Sequence, residues 1–314
     1  EAWEFKDIDY KESFTKLHRP KKLGIAMFND VMLDACLGRT TEGGFFQGKT
    51  ENVSRLASAV AGGINSYDAR DFPFGKTDFF HPYNLFADTP EECLNFISIH
   101  DGLTLWDKIN LTTDDAEGFK RLKTAKQALT ALFTAQGKTV LHGGCEILRT
   151  KPVSKSEKNN SRALSSPLVN EEENSRYFHD NSYKSPDFTN MLRWSRLSSE
   201  TFAPLADSLR NYVKGLILLR RKVPAFRMYR TEDIHLHLKF LENHADEPEG
   251  DCPKVHSFKS YLLPELKLKF INGPRNDILF LTGEVHPYDA NPETRPLPVK
   301  FGKDGTALVK LKRK

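Results

Sequence analysis

The chain has 314 residues, of which 39% are hydrophobic and 28% charged, a composition that allows one large globular domain and a smaller one. The formal net charge at pH 7 is only +4, and the positive residues are scattered, which argues against a nucleic-acid-binding protein. No apolar run approaches the roughly 20 residues that a membrane helix needs, so we expect neither nucleic acid nor a membrane as a partner.

The four cysteines, Cys36, Cys93, Cys145 and Cys252, are far apart and lack C-x-x-C spacing. This pattern argues against a zinc site and against a disulfide framework. We predict no metal ligands in the chain.

The chain starts with EAWEF, which is typical of the end of a strand, and it offers neither an initial Met nor a signal peptide. We therefore expect the C-terminal part of a longer protein, and the localisation stays undetermined.

The first two thirds of the sequence predict alternating strands and helices. A buried strand lies within residues 21–30, Asp30 is predicted to cap a helix over 31–37, and residues 51–61 form a second helix before a long loop. A second strand covers residues 94–99 and a third covers 139–141. The helix between them has one apolar face, formed by Leu122, Ala125, Leu129, Leu132 and Phe133.

The rest of the sequence changes texture twice. Residues 150–200 are mostly polar, and they predict a long loop or insertion. Residues 204–222 predict an amphipathic helix with an apolar side of Leu205, Leu209, Tyr212, Val213, Leu216 and Leu219. From about residue 234 the segments HLHLKFL, LKLKF and ALVKL alternate polar and apolar residues, which predicts an antiparallel β module. The fold class is therefore α/β with a parallel sheet, followed by a small all-β domain.

Three predicted strands end in polar residues. These residues are Asn29 and Asp30, then His100 and Asp101, then His142. The carboxyl ends of parallel strands meet in one crevice, where catalytic groups collect. The adjacent His100 and Asp101 are the most informative pair, because an imidazole and a carboxylate directly after an apolar strand have no evident role in folding.

A glycosidase explains such residues. Glycosidic cleavage needs one carboxylic acid to protonate the leaving oxygen and a second carboxylate to attack the anomeric carbon or activate water. A further fixed carboxylate stabilises the cationic transition state, and exposed Trp and Tyr side chains offer flat faces for sugar rings.

Five collinear segments over residues 1–230 resemble pullulanase-type debranching enzymes (type I pullulanase and limit dextrinase) of the α-amylase superfamily. FISIHDGLTLWDKIN is similar to the motif HDNLTLWD around the last catalytic Asp, and IAMFNDVMLDACLG is similar to FNDRxRDAIRG. TVLHGGCEILRTK resembles FLHAGEEFLRTK, NSYKSPDFTNMLRW resembles NSYNSPDxxNxxxW, and VKGLILLRRKVPAFRM resembles YxxGLIxLRxxHPAFR.

The resemblance implies the C-terminal half of a (β/α)8 TIM barrel, followed by a small all-β sandwich domain. The half-barrel would cover residues 1–230, from the end of strand five to helix eight, with the long loop at about 150–200, and the β domain would cover residues 231–314. Members of this family hydrolyse α-1,6 branch linkages in pullulan, amylopectin or limit dextrins with retention of configuration.

The resemblance also implies roles for individual residues. Glu1 would be the general acid/base, and Asp101 would be the carboxylate that stabilises the transition state. The remaining residues would bind the sugar: Trp3 as a stacking platform, His100 in the cleavage subsite, Asp187 on the glycone side, and Asn181 and Tyr183 in the same loop.

The sequence also departs from the family pattern. Gly102 stands where the family usually has Asn, Cys145 replaces a Glu or Gln, and Leu33 replaces an Arg. The nucleophilic Asp of the superfamily lies upstream of the segment that Glu1 opens, so we predict that this chain alone is inactive.

Two other interpretations stay open. The first is an isoamylase or glycogen-debranching relative, although LTLWDK and NSYKSPD fit pullulanases better. The second is a non-catalytic α-glucan-binding protein. In each case the partner is a branched α-glucan, and no cofactor is required. Calcium is common in relatives, but no acidic cluster here has a coordination spacing that supports it.

Overall fold

The computed structural model describes residues 14, 16, 20, 24–39, 41–49, 52–66, 85–113, 119–153, 163–170, 175–222, 224–240, 266–271, 276–282 and 306–312. For the strands within 163–176 and beyond 238, the structure describes the backbone pairing alone.

The first part of the chain builds a small parallel sheet. Its strands are β1 (Met27–Asn29), β2 (Cys93–Asn95) and β3 (Lys138–Thr139), in the order β1-β2-β3. In register, Met27 lies opposite Cys93 and Asn95 lies opposite Thr139. The predicted parallel α/β arrangement is confirmed.

Helices connect these strands and follow them. They are α1 (Asp30–Leu37), α2 (Val53–Val60), α3 (Leu105–Thr112), α4 (Phe119–Thr134), α5 (Asp187–Asn190), α6 (Ala203–Lys222) and α7 (Thr231–His237). Helix α4 packs against α6, and α1 packs against α2.

The two long helices bury the faces that the sequence predicts. Every apolar residue singled out on α4 is buried, and on α6 Leu209, Val213 and Leu216 join the same core. Burial of such side chains stabilises the fold by about 1.5–3 kcal/mol each. These helices form because their apolar residues recur at the helical period.

The strands are shorter than the apolar runs predict. Phe96 and Ile97 are buried although they follow the last ladder pair of β2 at Asn95. Burial thus continues beyond strand pairing, and an apolar run reports burial rather than hydrogen bonding. The prediction that Asp30 caps α1 is also wrong, because Asn29 is the N-cap and Asp30 is the first helical residue.

Part of the predicted long loop is a hairpin. Strands β4 (Ala163–Asn170) and β5 (Ser175–His179) pair antiparallel, with Ala163 opposite His179. The backbone of residues 151–153 also pairs with β5. Val153 N donates to Tyr177 O at 2.9 Å, and His179 N donates to Lys151 O at 3.0 Å. The expectation of an irregular stretch over residues 150–200 is therefore wrong for this part.

The C-terminal part contains a four-stranded antiparallel sheet. Its strands are β6 (Leu238–Phe240), β7 (Leu266–Ile271), β8 (Asn276–Thr282) and β9 (Thr306–Lys312), paired in that order. LKLKF and ALVKL are strands as predicted, but residues 235–237 of HLHLKFL belong to α7, and 238–240 are extended. The described residues contain one sheet here, so the second sheet of a sandwich is not among them.

Candidate active site

The last residues of the parallel strands lie at one level and are joined by buried amides. Asn29 and Asn95 are opposite each other in the register, and Asn29 Nδ2 donates to Asn95 Oδ1 at 2.8 Å. Asn95 Nδ2 donates to Gln136 O at 2.5 Å. Both Asn side chains are fully buried, so they stabilise the strand ends and are not accessible to a ligand.

His100 and Asp101 follow this level on the chain after β2, and both are accessible. The side chain of His100 is 67% exposed and that of Asp101 is 45% exposed, with His100 Nε2 at 3.5 Å from Asp101 Oδ2. Gly102 follows with a φ of +69°, and no other described atom lies within 4 Å of the position that a Cβ would take there. This segment, residues 100–102, is termed the HDG segment below.

The predicted site residue Asn181 lies directly beside Asp101. The two residues form an isolated antiparallel bridge through their backbones. Asn181 Oδ1 accepts a hydrogen bond from Tyr183 N at 3.1 Å, which closes a turn and leaves the Tyr183 side chain 83% exposed. The structure therefore brings His100, Asp101 and Asn181 together, with Tyr183 in the adjoining turn.

Asp187 lies further along the same loop. It is exposed and opens α5 directly after Pro186. Within the loop, Asn190 Nδ2 donates to Ser182 O at 3.0 Å. Thr189 Oγ1 donates to Pro152 O at 3.0 Å, which holds the loop against the chain segment that follows β3.

A buried lysine connects this segment to the HDG segment. Lys151 is 1% exposed, and its Nζ donates to His100 O at 2.5 Å and to Gly102 O at 2.8 Å. Burial lowers the pKa of Lys151, while the negative charges of Asp107, Asp101 and Asp180 act in the opposite direction. The ammonium thus bonds the carbonyls on both sides of Asp101.

Asp107 holds the backbone of Lys151 in place. Its Oδ2 accepts from Lys151 N at 2.7 Å, its Oδ1 accepts from Thr150 Oγ1, and its own N donates to Thr104 Oγ1 at 3.1 Å at the start of α3. Burial raises the pKa of Asp107, and these hydrogen bonds oppose that rise. Both carboxylate oxygens accept hydrogen bonds, as the ionised form requires.

His142 follows β3, is half-buried, and lies close enough to Lys151 and His100 for their charges to affect its pKa. Burial lowers its pKa from 6.5 to about 4, with smaller contributions from the charges of Arg149, Lys151 and His100. Its Nδ1 is buried and has no hydrogen-bond partner among the described residues. The imidazole is therefore neutral near pH 7 and can accept or donate a hydrogen bond.

Cys145, which departs from the family pattern, is buried rather than reactive. Its Sγ lies 3.1 Å from Ser98 Oγ, and burial raises its pKa to about 11. A thiol with a raised pKa is a poor nucleophile. Cys145 therefore packs the loop after β3 and does not supply an acidic group.

Two of the predicted site residues, Glu1 and Trp3, lie outside the described residues. Sequence reasoning assigned no role to Lys151 or Asp107, although both lie inside the quoted motifs LRTK and LTLWD. Their contacts could not be found from side-chain patterns, because Lys151 bonds backbone carbonyls and Asp107 bonds a backbone N–H.

Among the described residues, no group of three or more His, Cys, Asp or Glu side chains is placed to hold a metal ion. None of the described helices is both long enough and apolar enough to span a membrane.

A cleft of about 570 Å³ lies away from the HDG segment. Its lining includes Pro90 and Glu91, just before β2, and Gly137 and Lys138 at the start of β3. Thr139 and Leu141 also line it, so the cleft runs along β3, and none of His100, Asp101 and His142 is among its lining residues. We do not assign the candidate site to it.

Comparison with known proteins agrees with the residue-level resemblance. No family model matches the chain. The chain is 25% identical to pullulanase from Bacillus subtilis (strain 168) over 245 residues, which cover 77% of this chain and 28% of that protein. It is 30% identical to pullulanase A from Streptococcus pneumoniae over 167 residues, covering 49% of this chain and 13% of that protein.

The fold is similar as well. The structure of pullulanase from Paenibacillus barengoltzii in complex with maltohexaose and α-cyclodextrin matches with a TM-score of 0.61 and 25% identity. The match covers 93% of this chain and 39% of that one. The resemblance to pullulanase-type enzymes of the α-amylase superfamily is therefore confirmed in sequence and in fold, and the chain spans less than half the length of these relatives.

Proposed function

We propose that this chain is the C-terminal part of a retaining glycoside hydrolase that cleaves α-1,6-glucosidic branch linkages in pullulan, amylopectin or limit dextrins. The longer protein is termed the parent protein below. The observation that carries the proposal is the accessible His100 and Asp101 pair, bonded through the Asp101 backbone to Asn181 of the NSYKSPD loop. Two segments that resemble separate pullulanase motifs thus meet at the backbone of Asp101.

The proposed chemistry needs three carboxyl groups. Glu1 protonates the glycosidic oxygen, and the nucleophilic Asp, which we place upstream of Glu1 in the parent protein, attacks the anomeric carbon. The covalent glycosyl intermediate is then hydrolysed by water that Glu1 deprotonates. The side chain of Asp101 lies beside the sugar and stabilises the oxocarbenium-like transition state.

The remaining predicted residues bind the sugar. Trp3 stacks on a ring, His100 donates or accepts a hydrogen bond in the cleavage subsite, and Asn181, Tyr183 and Asp187 line the path further along. The exposed ring of Tyr183 and the exposed carboxylate of Asp187 are compatible with this role. The partner is a branched α-glucan, in keeping with the maltohexaose bound by the Paenibacillus protein.

The proposal includes a finer fold assignment. The three parallel strands and their helices are the last three strands of a (β/α)8 barrel within residues 1–230, and residues 231–314 form a β-sandwich domain. Support comes from the strand order β1-β2-β3, in which β1 and β3 are edges among the described strands, and from the half-exposed Ile217 and Leu218 on α6. A barrel removes such edges by closing on itself.

A second candidate function is a non-catalytic α-glucan-binding protein. Two observations favour it: Gly102 brings no side chain to the site, and Cys145 is a buried thiol where the family has an acidic or amide residue. An isoamylase-like debranching specificity is a third candidate, but the LTLWDK and NSYKSPD segments favour the pullulanase type. No cofactor is needed for any of these, and calcium has no supporting motif among the described residues.

Incubation of the parent protein with pullulan separates these candidates. We expect reducing ends to appear with maltotriose as the main product, and we expect none from the 314-residue chain alone, because it lacks the nucleophile. Binding of pullulan by the parent protein without release of reducing ends would favour the non-catalytic candidate.

Substitution of the proposed stabilising carboxylate sharpens this test. Asp101→Asn in the parent protein should keep pullulan binding and lower kcat by about 10³-fold or more, because the carboxylate acts mainly in the transition state. Asp207→Asn is the control, since Asp207 pairs with Arg210 on the surface of α6 at 2.8 Å. A loss below about tenfold for Asp101→Asn would remove the role assigned to Asp101.

A further inference from the structure

We propose that Lys151 is a positioning residue that holds the Asp101 carboxylate in its productive place by bonding the backbone on both sides of it. This inference rests on the proposed function for its catalytic meaning, and it adds a residue to which the resemblance gave no role. The physical basis is a buried ammonium that bonds the carbonyls of His100 and Gly102.

The HDG segment has few other restraints within the described part of the chain. Asp101 forms an isolated backbone bridge to Asn181, and the side chains of His100 and Asp101 are 67% and 45% exposed to solvent. Gly102 has no side chain, and the space around it is open. A segment with such exposed neighbours samples several backbone positions unless a strong bond fixes it.

Lys151 supplies that bond from a fixed place. Its side chain is 1% exposed, its N–H donates to Asp107 Oδ2 at 2.7 Å, and its carbonyl accepts from His179 N at 3.0 Å. Hydrogen bonds from a charged donor are roughly twice as strong as neutral ones. Lys151 therefore connects the buried Asp107 and the β5 backbone to the two peptide groups that flank Asp101.

The burial of Lys151 also indicates a specific role. A buried ammonium costs several kcal/mol unless it is compensated, whereas an apolar side chain of the same length would fill the space without that cost. Here the compensation comes from two carbonyls and from the nearby carboxylates of Asp101, Asp107 and Asp180. The buried ammonium therefore lowers the stability of the fold relative to an apolar side chain, but it fixes the position of the HDG segment.

Loss of the Lys151 ammonium should therefore lower kcat. Misplacement of a catalytic group by about 1 Å costs about 100-fold in rate. Substrate affinity depends on many sugar contacts, so the loss should appear in kcat while KM stays within about threefold. A merely structural lysine would lower the melting temperature without this division between kcat and KM.

The test compares two buried lysines in the parent protein. Lys151→Met keeps a long side chain but removes the ammonium group and its hydrogen-bond donors. Lys108→Met is the matched control, because Lys108 is 4% exposed and also donates to a backbone carbonyl, that of Arg39 at 3.1 Å. We expect similar losses of melting temperature, a kcat on pullulan about 100-fold lower for Lys151→Met, and a kcat within about threefold of the wild type for Lys108→Met.

A second measurement does not depend on catalysis. Amide hydrogen exchange is followed by mass spectrometry in peptides that contain residues 99–103. Lys151→Met should raise the exchange rate of this segment by about tenfold, and Lys108→Met should leave it unchanged. Should Lys151→Met fail to fold, Lys151→Gln is compared with Lys108→Gln by the same two criteria.

The outcomes separate the two proposals. A wild-type parent protein that releases nothing from pullulan refutes the proposed function, while the exchange measurement still decides whether Lys151 fixes the HDG segment. Unchanged exchange in Lys151→Met overturns the positioning role. Raised exchange with a kcat equal to that of Lys108→Met also overturns it, because the movement would then have no catalytic effect.

Discussion

The buried carboxylate of Asp107 should be one of the most costly side chains to remove from this protein. It accepts hydrogen bonds from Thr150 Oγ1 and, at 2.7 Å, from Lys151 N, and it is fully buried. Asp107→Ala leaves two buried donors without an acceptor, at about 1–3 kcal/mol each, and removes a negative charge near the Lys151 ammonium. We therefore expect a loss of about 3–5 kcal/mol in the free energy of unfolding.

The isosteric change Asp107→Asn should cost less. The amide oxygen still accepts from Lys151 N, and the NH2 group can donate to the Thr150 hydroxyl. The negative charge near the Lys151 ammonium is lost, so we expect a loss of about 2 kcal/mol. Urea unfolding of the 314-residue chain, followed by tryptophan fluorescence, measures both variants by linear extrapolation. Asp207→Asn is the control, because its exposed ion pair should contribute at most about 0.5 kcal/mol. If Asp107→Asn costs no more than this control, the network assigned to Asp107 does not stabilise the fold.

Three further predictions concern the site. In the parent protein, Glu1→Gln should abolish turnover of pullulan but leave much of the activity on an aryl glycoside with a good leaving group, and equal losses on both would contradict an acid role. His142, with a pKa lowered from 6.5 to about 4, should make the fold lose stability as pH falls from 6.5 to 4, because the unfolded chain takes up the proton first. The upper limit is about 3.4 kcal/mol, and partial solvation of the ring reduces it to about 1–2 kcal/mol, so His142→Gln should flatten the unfolding free energy over this range if the assignment holds. Gly102→Asn should change stability by less than about 0.5 kcal/mol, whereas Gly102→Val should cost about 1–2 kcal/mol, because Gly102 has a φ of +69° in open space; equal melting temperatures for the two variants would contradict this.

The sequence was most informative where one physical cause sets the pattern. The apolar faces of α4 and α6 follow from burial at the helical period, and residues such as Leu129 and Leu209 are buried as predicted. The sequence also predicts the parallel sheet correctly, but the predicted second strand is longer than the observed one. The reason is that Phe96 and Ile97 are buried although strand pairing ends at Asn95.

Patterns failed where tertiary contacts override local preference. HLHLKFL alternates polar and apolar residues like a strand, yet its first three residues complete α7. The polar stretch before Asp187 gave no strand signal, yet β4 and β5 pair within it, next to the backbone of Lys151 and Val153.

The sequence singled out His100 and Asp101 because two polar groups follow an apolar strand, and the resemblance added Asn181 as a residue that would bind the sugar. The structure joins Asn181 to Asp101 by a backbone bridge, and the roles of these residues stay predictions. Lys151 carried no such signal, because its partners are peptide carbonyls and any sequence has those. The side of the site that Glu1 and Trp3 would form stays a prediction.

A structure of the parent protein with a bound branched α-glucan oligosaccharide would test the central claim most directly. We predict that the carboxyl groups of Glu1 and Asp101 lie on the same glycosidic bond, with His100 hydrogen-bonded to that sugar. A sugar bound elsewhere, or a Glu1 carboxyl group on the opposite side of the sheet from Asp101, would contradict the account.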